Sequence, residues 1–95
     1  MKESVIEGKL RKKVVDLGGR CFKWVSPGND GVPDRIVIMP GGRIFFVEMK
    51  KSENEKLRKL QEYQLEVLRK LGCYARGIFG EEDVKEFLEE ISDEV

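Results

Sequence analysis

The stretch from Gly31 to Lys50, GVPDRIVIMPGGRIFFVEMK, decides the fold of this chain. Two apolar runs, Asp34 to Met39 and Arg43 to Met49, flank a Pro-Gly-Gly turn, and this pattern predicts a β-hairpin. Both runs are apolar on both faces, which is typical of central strands of a sheet. The first run opens with Asp34 and the second ends near Glu48, so two carboxylates meet at the open end of the hairpin. Desolvating that charge costs free energy unless a metal, a lysine or a phosphate compensates it.

The open end of the hairpin has the residue types that phosphodiester hydrolysis needs. Asp34 and Glu48 are equidistant from the bend, and facing residues of an antiparallel pair have Cβ atoms about 4.5–5.5 Å apart. Two like charges that close repel each other, and a cation between them removes the repulsion. Lys50 shares the face of Glu48, where its ammonium can orient or help deprotonate a water and neutralise phosphate charge. With the Met49 carbonyl as a further ligand, the pattern predicts a Mg²⁺ or Mn²⁺ site.

Hydrophobic periodicity predicts three helices and two more strands around the hairpin. The predicted helices are Ser4 to Leu17, Ser52 to Leu71 and Glu81 to Ile91, and the predicted strands are Arg20 to Val25 and Cys73 to Phe79. The spacings Ser4/Glu7 and Ser52/Glu55 match helix capping boxes. A strand that follows a crossover helix pairs in parallel, so residues 1–95 are predicted to form one α/β domain with a mixed four-stranded sheet.

Composition excludes several classes of site. The 95 residues include no histidine, which excludes Ser-His-Asp triads and His-based zinc sites. No apolar run reaches the ~20 residues that span a bilayer, and the N-terminus has no signal-peptide pattern, so no membrane association and a cytoplasmic protein are expected. The two cysteines, Cys21 and Cys73, are expected to be free thiols.

The net charge of zero conceals an asymmetry between the two parts of the chain. Residues 1–80 carry 17 basic and 10 acidic side chains, and residues 81–95 carry one basic and eight acidic ones. A basic body with an acidic end is compatible with DNA binding, and equally with a surface rich in salt bridges.

The motif Pro33-Asp34 followed by Glu48-Met49-Lys50 resembles the PD-(D/E)XK nuclease superfamily. Its context, with Gly31-Val32 before the acid, Gly42-Arg43 in the hairpin and Leu68-Arg69-Lys70-Leu71-Gly72 ending the next helix, is similar to the virus-type replication-repair nuclease (VRR-NUC) family. The resemblance covers Glu7 to about Phe79. It implies a restriction-endonuclease-like αβββαβ core, to which this chain adds a C-terminal helix.

The resemblance also implies roles for individual residues. Asp34 and Glu48 match the metal-binding acids, Lys50 the catalytic lysine, and Gln61 the polar residue on the helix after the strand. Glu7 matches the acid of the first helix that completes the metal site. Its capping-box spacing suits an ordinary helix cap as well, so both roles stay open.

The activity that the resemblance implies is a Mg²⁺- or Mn²⁺-dependent DNA endonuclease, selective for branched DNA such as four-way junctions. The resemblance to stand-alone members of the family implies a homodimer in a bacterial or phage-infected cell. The superfamily implies products with a 5′-phosphate. Two alternatives stay open: a restriction-type endonuclease acting on duplex DNA, and a non-catalytic DNA-binding module. Trp24 is expected in the core or at a dimer interface rather than as a base-stacking platform.

Overall fold

The computed structural model describes residues 2–92, which form three helices and one four-stranded sheet. The elements are α1 Glu3–Asp16, β1 Arg20–Lys23, β2 Arg35–Met39, β3 Arg43–Lys50, α2 Lys59–Lys70, β4 Tyr74–Phe79 and α3 Gly80–Ser92. The strands lie in the order β1-β2-β3-β4; β2 is antiparallel to both β1 and β3, and β4 runs parallel to β3. The predicted α/β class, with its mixed sheet and C-terminal helix, is confirmed.

The two faces of the sheet have different surroundings, because successive residues of a strand point to opposite sides. On one face, Val37, Phe45 and Val47 pack with buried residues of α1 and α3 in the hydrophobic core. The α2 helix packs mainly on β4. It covers the opposite face only partly, so Phe22, Ile38 and Ile44 keep 52%, 37% and 48% of their surface exposed. Glu48 points to this partly covered face.

The predicted capping box of α1 is wrong. The helix begins at Glu3, one residue before the predicted start, and its N-cap Lys2 makes no side-chain capping hydrogen bond. Ser4 therefore lies inside the first turn rather than before it, and Glu7 is not the reciprocal partner of a cap.

The predicted capping box of α2 is also wrong, because Ser52 stabilises a turn rather than a helix. The Asn54 amide donates to Ser52 Oγ at 3.1 Å, and α2 begins only at Lys59. Serine side chains bond to nearby backbone in turns as readily as at helix starts, so the sequence pattern is ambiguous. At the real start of the helix, the Arg58 amide donates to Gln61 Oε1 at 2.9 Å.

Two further expectations concern the thiols and the membrane. Cys21 and Cys73 are free thiols, as the sequence predicted. No helix formed by residues 2–92 has the length and apolar character needed to cross a membrane.

Candidate active site

Asp34 and Glu48 lie opposite each other at the end of the hairpin that is remote from its turn. The antiparallel register pairs Arg35 with Val47, so the next pair outward is Asp34 and Glu48. The Met49 amide donates to Asp34 Oδ1 at 3.0 Å. The Asp34 amide in turn donates to the Glu48 carboxylate. Backbone hydrogen bonds of the two strands therefore orient both carboxylates.

Burial raises the pKa of both carboxyl groups, and the charge of Asp34 adds to the rise at Glu48. Only 7% of the Glu48 surface is exposed. Burial first, and then the negative charge of Asp34, raise the pKa of Glu48 to about 7, although Lys50 and the Asp34 amide act in the opposite direction. Burial also raises the pKa of Asp34, against the effects of the Met49 amide and the Arg35 charge. The pair thus carries negative charge that the protein neutralises incompletely.

Gln61 and Lys50 approach the same oxygen of Glu48. Gln61 is buried, and its Nε2 donates to Glu48 Oε2 at 3.1 Å. Lys50 Nζ lies 3.9 Å from that oxygen. The fold therefore brings Asp34, Glu48, Lys50 and Gln61 together, although residues 34 and 61 come from different parts of the chain.

Glu7 does not join this group. Its Oε1 accepts a hydrogen bond from Arg35 Nε at 3.1 Å. Arg35 follows Asp34 in the chain and hence points to the opposite face of the sheet, the one that α1 covers. Within the range 2–92, no three Asp, Glu, Cys or His side chains lie close enough together to hold a metal ion. The expected convergence of Glu7 with Asp34 and Glu48 is not observed, because the Arg35 guanidinium holds the Glu7 carboxylate.

A cleft of about 290 Å³ opens beside the carboxylate pair. One wall is the loop between β1 and β2, which begins at Trp24, and another wall contains Arg58 and Gln61. The loop is attached to α2, since Gln64 Nε2 donates to the Asp30 carbonyl at 3.3 Å. The carboxylate pair is therefore accessible from a cleft rather than sealed in the core.

Comparison with solved structures identifies the family of this fold. A structure described as a VRR_NUC domain superposes with a TM-score of 0.87, is 33% identical, and the match covers 92% of this chain and 94% of that one. The chain belongs to the VRR-NUC family. A second structure, described as a VRR_NUC domain protein, has a TM-score of 0.74 at 19% identity over 94% of this chain and 86% of that one, and it supports the fold alone.

A sequence relative of this VRR-NUC domain comes from a phage. The protein named "Putative nuclease p44" of Acyrthosiphon pisum secondary endosymbiont phage 1 is 50% identical over 50 residues, which are 53% of this chain. The match spans 54% of the length of that protein, about half. No protein-family model matches the sequence.

In this VRR-NUC domain one further acid of α1, Glu3, acts on the carboxylate pair, and no sequence motif pointed to it. The negative charge of Glu3 raises the pKa of both Asp34 and Glu48, so it acts on the carboxylate pair from the start of the helix. Glu3 precedes Glu7 by four residues, which places both acids on the same side of α1. An acid one turn before Glu7 is the sequence signal that could have found it.

The donor set of this VRR-NUC domain fits a hard divalent cation. Carboxylate and carbonyl oxygens are the ligands that Mg²⁺ and Mn²⁺ prefer, and Asp34, Glu48 and the Met49 carbonyl are of this type. The physical observation that supports the fit is the uncompensated charge of the pair: burial first, and then the charge of Asp34, raise the pKa of Glu48 to about 7. A cation between the two carboxylates would remove that repulsion.

Proposed function

We propose that this chain is a Mg²⁺- or Mn²⁺-dependent DNA endonuclease. The observation that carries the proposal is the pairing of Asp34 with the buried Glu48 on adjacent strands, with Lys50 Nζ 3.9 Å from Glu48 Oε2. The fold of a nuclease family and a phage relative with nuclease in its name support the same activity. The raised pKa of Glu48 adds to this support, because perturbed carboxyl groups cluster at functional sites.

The chemistry follows from the positions of the side chains. A divalent cation held by Asp34, Glu48 and the Met49 carbonyl would neutralise phosphate charge and polarise the phosphorus–oxygen bonds. Lys50 donates hydrogen bonds to the attacking water and to a phosphate oxygen, so that the water approaches the phosphorus in line. Gln61 fixes the orientation of the Glu48 carboxylate through the 3.1 Å hydrogen bond to Oε2. The resemblance to the superfamily, rather than the side-chain positions, implies that the departing group is the 3′ oxygen, which leaves a 5′-phosphate on the product.

The finer parts of the proposal concern the form of the DNA and the assembly. We propose selectivity for branched DNA such as four-way junctions, in the cytoplasm of a bacterial or phage-infected cell. Symmetric cleavage of a junction needs two active sites, so we propose a homodimer. Its interface would use the exposed apolar strip Phe22, Ile38 and Ile44, because neighbouring exposed apolar side chains can mark an interaction site. Glu48 points to the same face of the sheet, so a two-fold interface there would bring two active sites to one side.

The role of Glu7 in this proposal is that of a neighbouring acid. It pairs with Arg35 at 3.1 Å, and it could join a cation only if that ion pair were released. We therefore restrict the proposed ligand set to the hairpin and leave the first-helix acid outside it.

A cleavage assay with a matched pair of lysine variants tests the activity. Labelled duplex, flap and four-way junction DNA is incubated with Mg²⁺ or Mn²⁺, with EDTA as the metal-removal control. Lys50→Ala should lower the cleavage rate about 100-fold or more, because removing one hydrogen-bond donor that stabilises transition-state charge costs roughly 10²–10³ in rate. Lys51→Ala, the exposed neighbour, should keep most of the activity.

The outcomes separate the candidate functions. Cutting of junctions but not of duplex supports the branched-DNA enzyme, and cutting of duplex at one sequence selects the restriction-type enzyme instead. No cleavage of any substrate with either metal would refute the enzyme and leave the DNA-binding module. Equal cleavage rates for Lys50→Ala and the wild type would refute the proposed active site.

A further inference from the structure

The cleft beside the carboxylate pair has an aromatic wall that the proposed chemistry does not use. Trp24 lines this cleft together with Val25, whose surface is 70% exposed. The Trp24 amide donates to the Asp34 carbonyl at 2.8 Å, which extends the β1–β2 register by one pair. Trp24 therefore lies directly opposite Asp34 and on the same face of the sheet. The sequence favoured a core or interface role for this residue, whereas the structure places its indole beside the acids.

The indole of Trp24 packs against the ring of Phe46. Its ring centroid lies 5.3 Å from that of Phe46, with the rings tilted by 49°. Phe46 belongs to β3 and shares the face of Glu48, so the tryptophan is backed by the same strand that holds the acid. A half-buried aromatic ring with one packed side and one side toward a cleft suits a flat ligand.

Arg58, another residue that lines the cleft, supplies a positive charge. The Arg58 side chain is 61% exposed and lies 3.9 Å from the Asp30 carboxylate. A weak exposed ion pair of this kind exchanges easily for a phosphate, which guanidinium groups bind through two parallel hydrogen bonds. The lining of the cleft thus combines an aromatic ring, a cationic side chain and the carboxylate pair.

We propose that this cleft receives one unpaired nucleotide next to the phosphate that is cut, with its base against Trp24 and an adjacent phosphate near Arg58. Aromatic side chains bind unpaired bases in this way irrespective of sequence, since every base has a π face. A base inside a continuous duplex is covered by its neighbours and must be extruded first, which costs several kcal/mol. The cleft therefore favours DNA with an unpaired nucleotide. This inference rests on the proposed function, which brings DNA to the carboxylate pair.

The fluorescence of Trp24 tests the inference without any cleavage, because it is the one tryptophan of the chain. Wild-type protein in Ca²⁺, an ion of the same charge with looser geometry, is titrated with three DNAs of equal length. They are a duplex with one unpaired nucleotide, the same duplex with an abasic residue at that position, and a continuous duplex. Anisotropy of a label on the DNA measures binding independently.

Saturable quenching of the tryptophan by the unpaired nucleotide, and markedly weaker quenching by the abasic and continuous duplexes, is the expected result. Equal quenching by all three DNAs, or binding seen by anisotropy with no quenching, would overturn the inference. Cleavage with Mg²⁺ is scored separately. Selective quenching without cleavage would refute the proposed endonuclease and support the nucleotide-binding cleft. Cleavage without selective quenching would support the endonuclease and refute the nucleotide-binding cleft.

Variants provide a second test that does not depend on fluorescence. Trp24→Leu should weaken binding of the DNA with the unpaired nucleotide about tenfold or more, with little effect on continuous duplex, since base–aromatic stacking is worth about 1–3 kcal/mol. Tyr63→Leu, an exposed aromatic on α2 outside the cleft, is the matched control and should bind like the wild type. Trp24→Phe keeps an aromatic ring at this position, and its affinity for the DNA with the unpaired nucleotide should lie between those of Trp24→Leu and the wild type. Equal affinities for all four proteins would contradict the proposal.

Discussion

At the scale of single residues, Glu48 has a carboxylate whose negative charge is costly to bury in the proposed site. It is buried, it faces Asp34, and its hydrogen bonds with the Asp34 amide and with Gln61 do not keep its pKa from rising to about 7. Functional sites commonly contain groups whose unfavourable free energy a bound ligand relieves. Here the unfavourable free energy of the buried charge arises where the proposed cation would bind.

The raised pKa of Glu48 predicts a pH-dependent difference in stability between the metal-free wild type and Glu48→Gln. Below the unfolded pKa of about 4.5, Glu48 is protonated in both states and contributes no penalty. As the pH rises toward the folded value of about 7, the unfolded chain releases the Glu48 proton first, so the wild type loses more stability than the variant, which lacks this carboxyl group. Thermal melts in EDTA from pH 4 to 8 should show the difference growing in favour of the variant.

A control variant separates this effect from general acid sensitivity. Glu86→Gln removes an exposed carboxylate on α3, and its melting temperature should follow that of the wild type at every pH. A difference between Glu48→Gln and the wild type that stayed constant with pH would contradict the buried-charge account.

At the scale of elements, the β1–β2 loop is held in place by α2. Gly31 has φ +88°, and an added Cβ would lie 2.7 Å from the Leu60 carbonyl oxygen. The loop and the helix start are therefore in direct backbone contact, close to the cleft wall and to Asp34. Gly28 in the same loop has φ +81° with open space around its Cβ position.

These two glycines form a matched pair for testing that contact. Gly28→Ala should lower the free energy of unfolding by about 1 kcal/mol, because it places a side chain in the left-handed region. Gly31→Ala should cost at least about twice as much, since it adds the steric conflict with Leu60 to the same backbone strain. Urea unfolding measures both. Equal losses of stability would show that the loop moves away from α2 without cost.

At the scale of the whole molecule, the acidic helix α3 is attached to the basic body by ion pairs. Glu81 pairs with Lys9, and Arg76 of β4 bonds both Asp83 and Glu90. These contacts favour the salt-bridge interpretation for this part of the charge asymmetry. They lie on the side of the sheet away from the cleft, so the proposed DNA site is not covered by the acidic helix.

The exposed apolar strip predicts a dimer that a single charge disrupts. Ile44→Glu should convert the proposed homodimer to a monomer, because a carboxylate at the centre of a two-fold interface meets its own copy. Leu71→Glu, at a position that is 75% exposed beyond the end of α2, is the control and should leave the assembly unchanged. Sedimentation velocity over a range of concentrations measures both. A monomeric wild type at the concentrations used for cleavage would contradict the proposed homodimer.

The sequence by itself determined the order of the elements and the hairpin at the centre of the sheet. Strand periodicity and the Pro-Gly-Gly turn fix the register locally, and the register alone sets Asp34 opposite Glu48. Gln61 was found through the family motif, while its two hydrogen bonds follow from the late start of α2 at Lys59.

Only the tertiary structure decided which side chains share a face and a cleft. Glu7 binds Arg35, which points to the face of the sheet that α1 covers, whereas the start of α1 brings Glu3 near enough to act on the carboxylate pair. Trp24 reaches the cleft because the β1–β2 pairing continues to Asp34. Such relations join residues distant in sequence through packing, and hydrophobic periodicity carries no information about them.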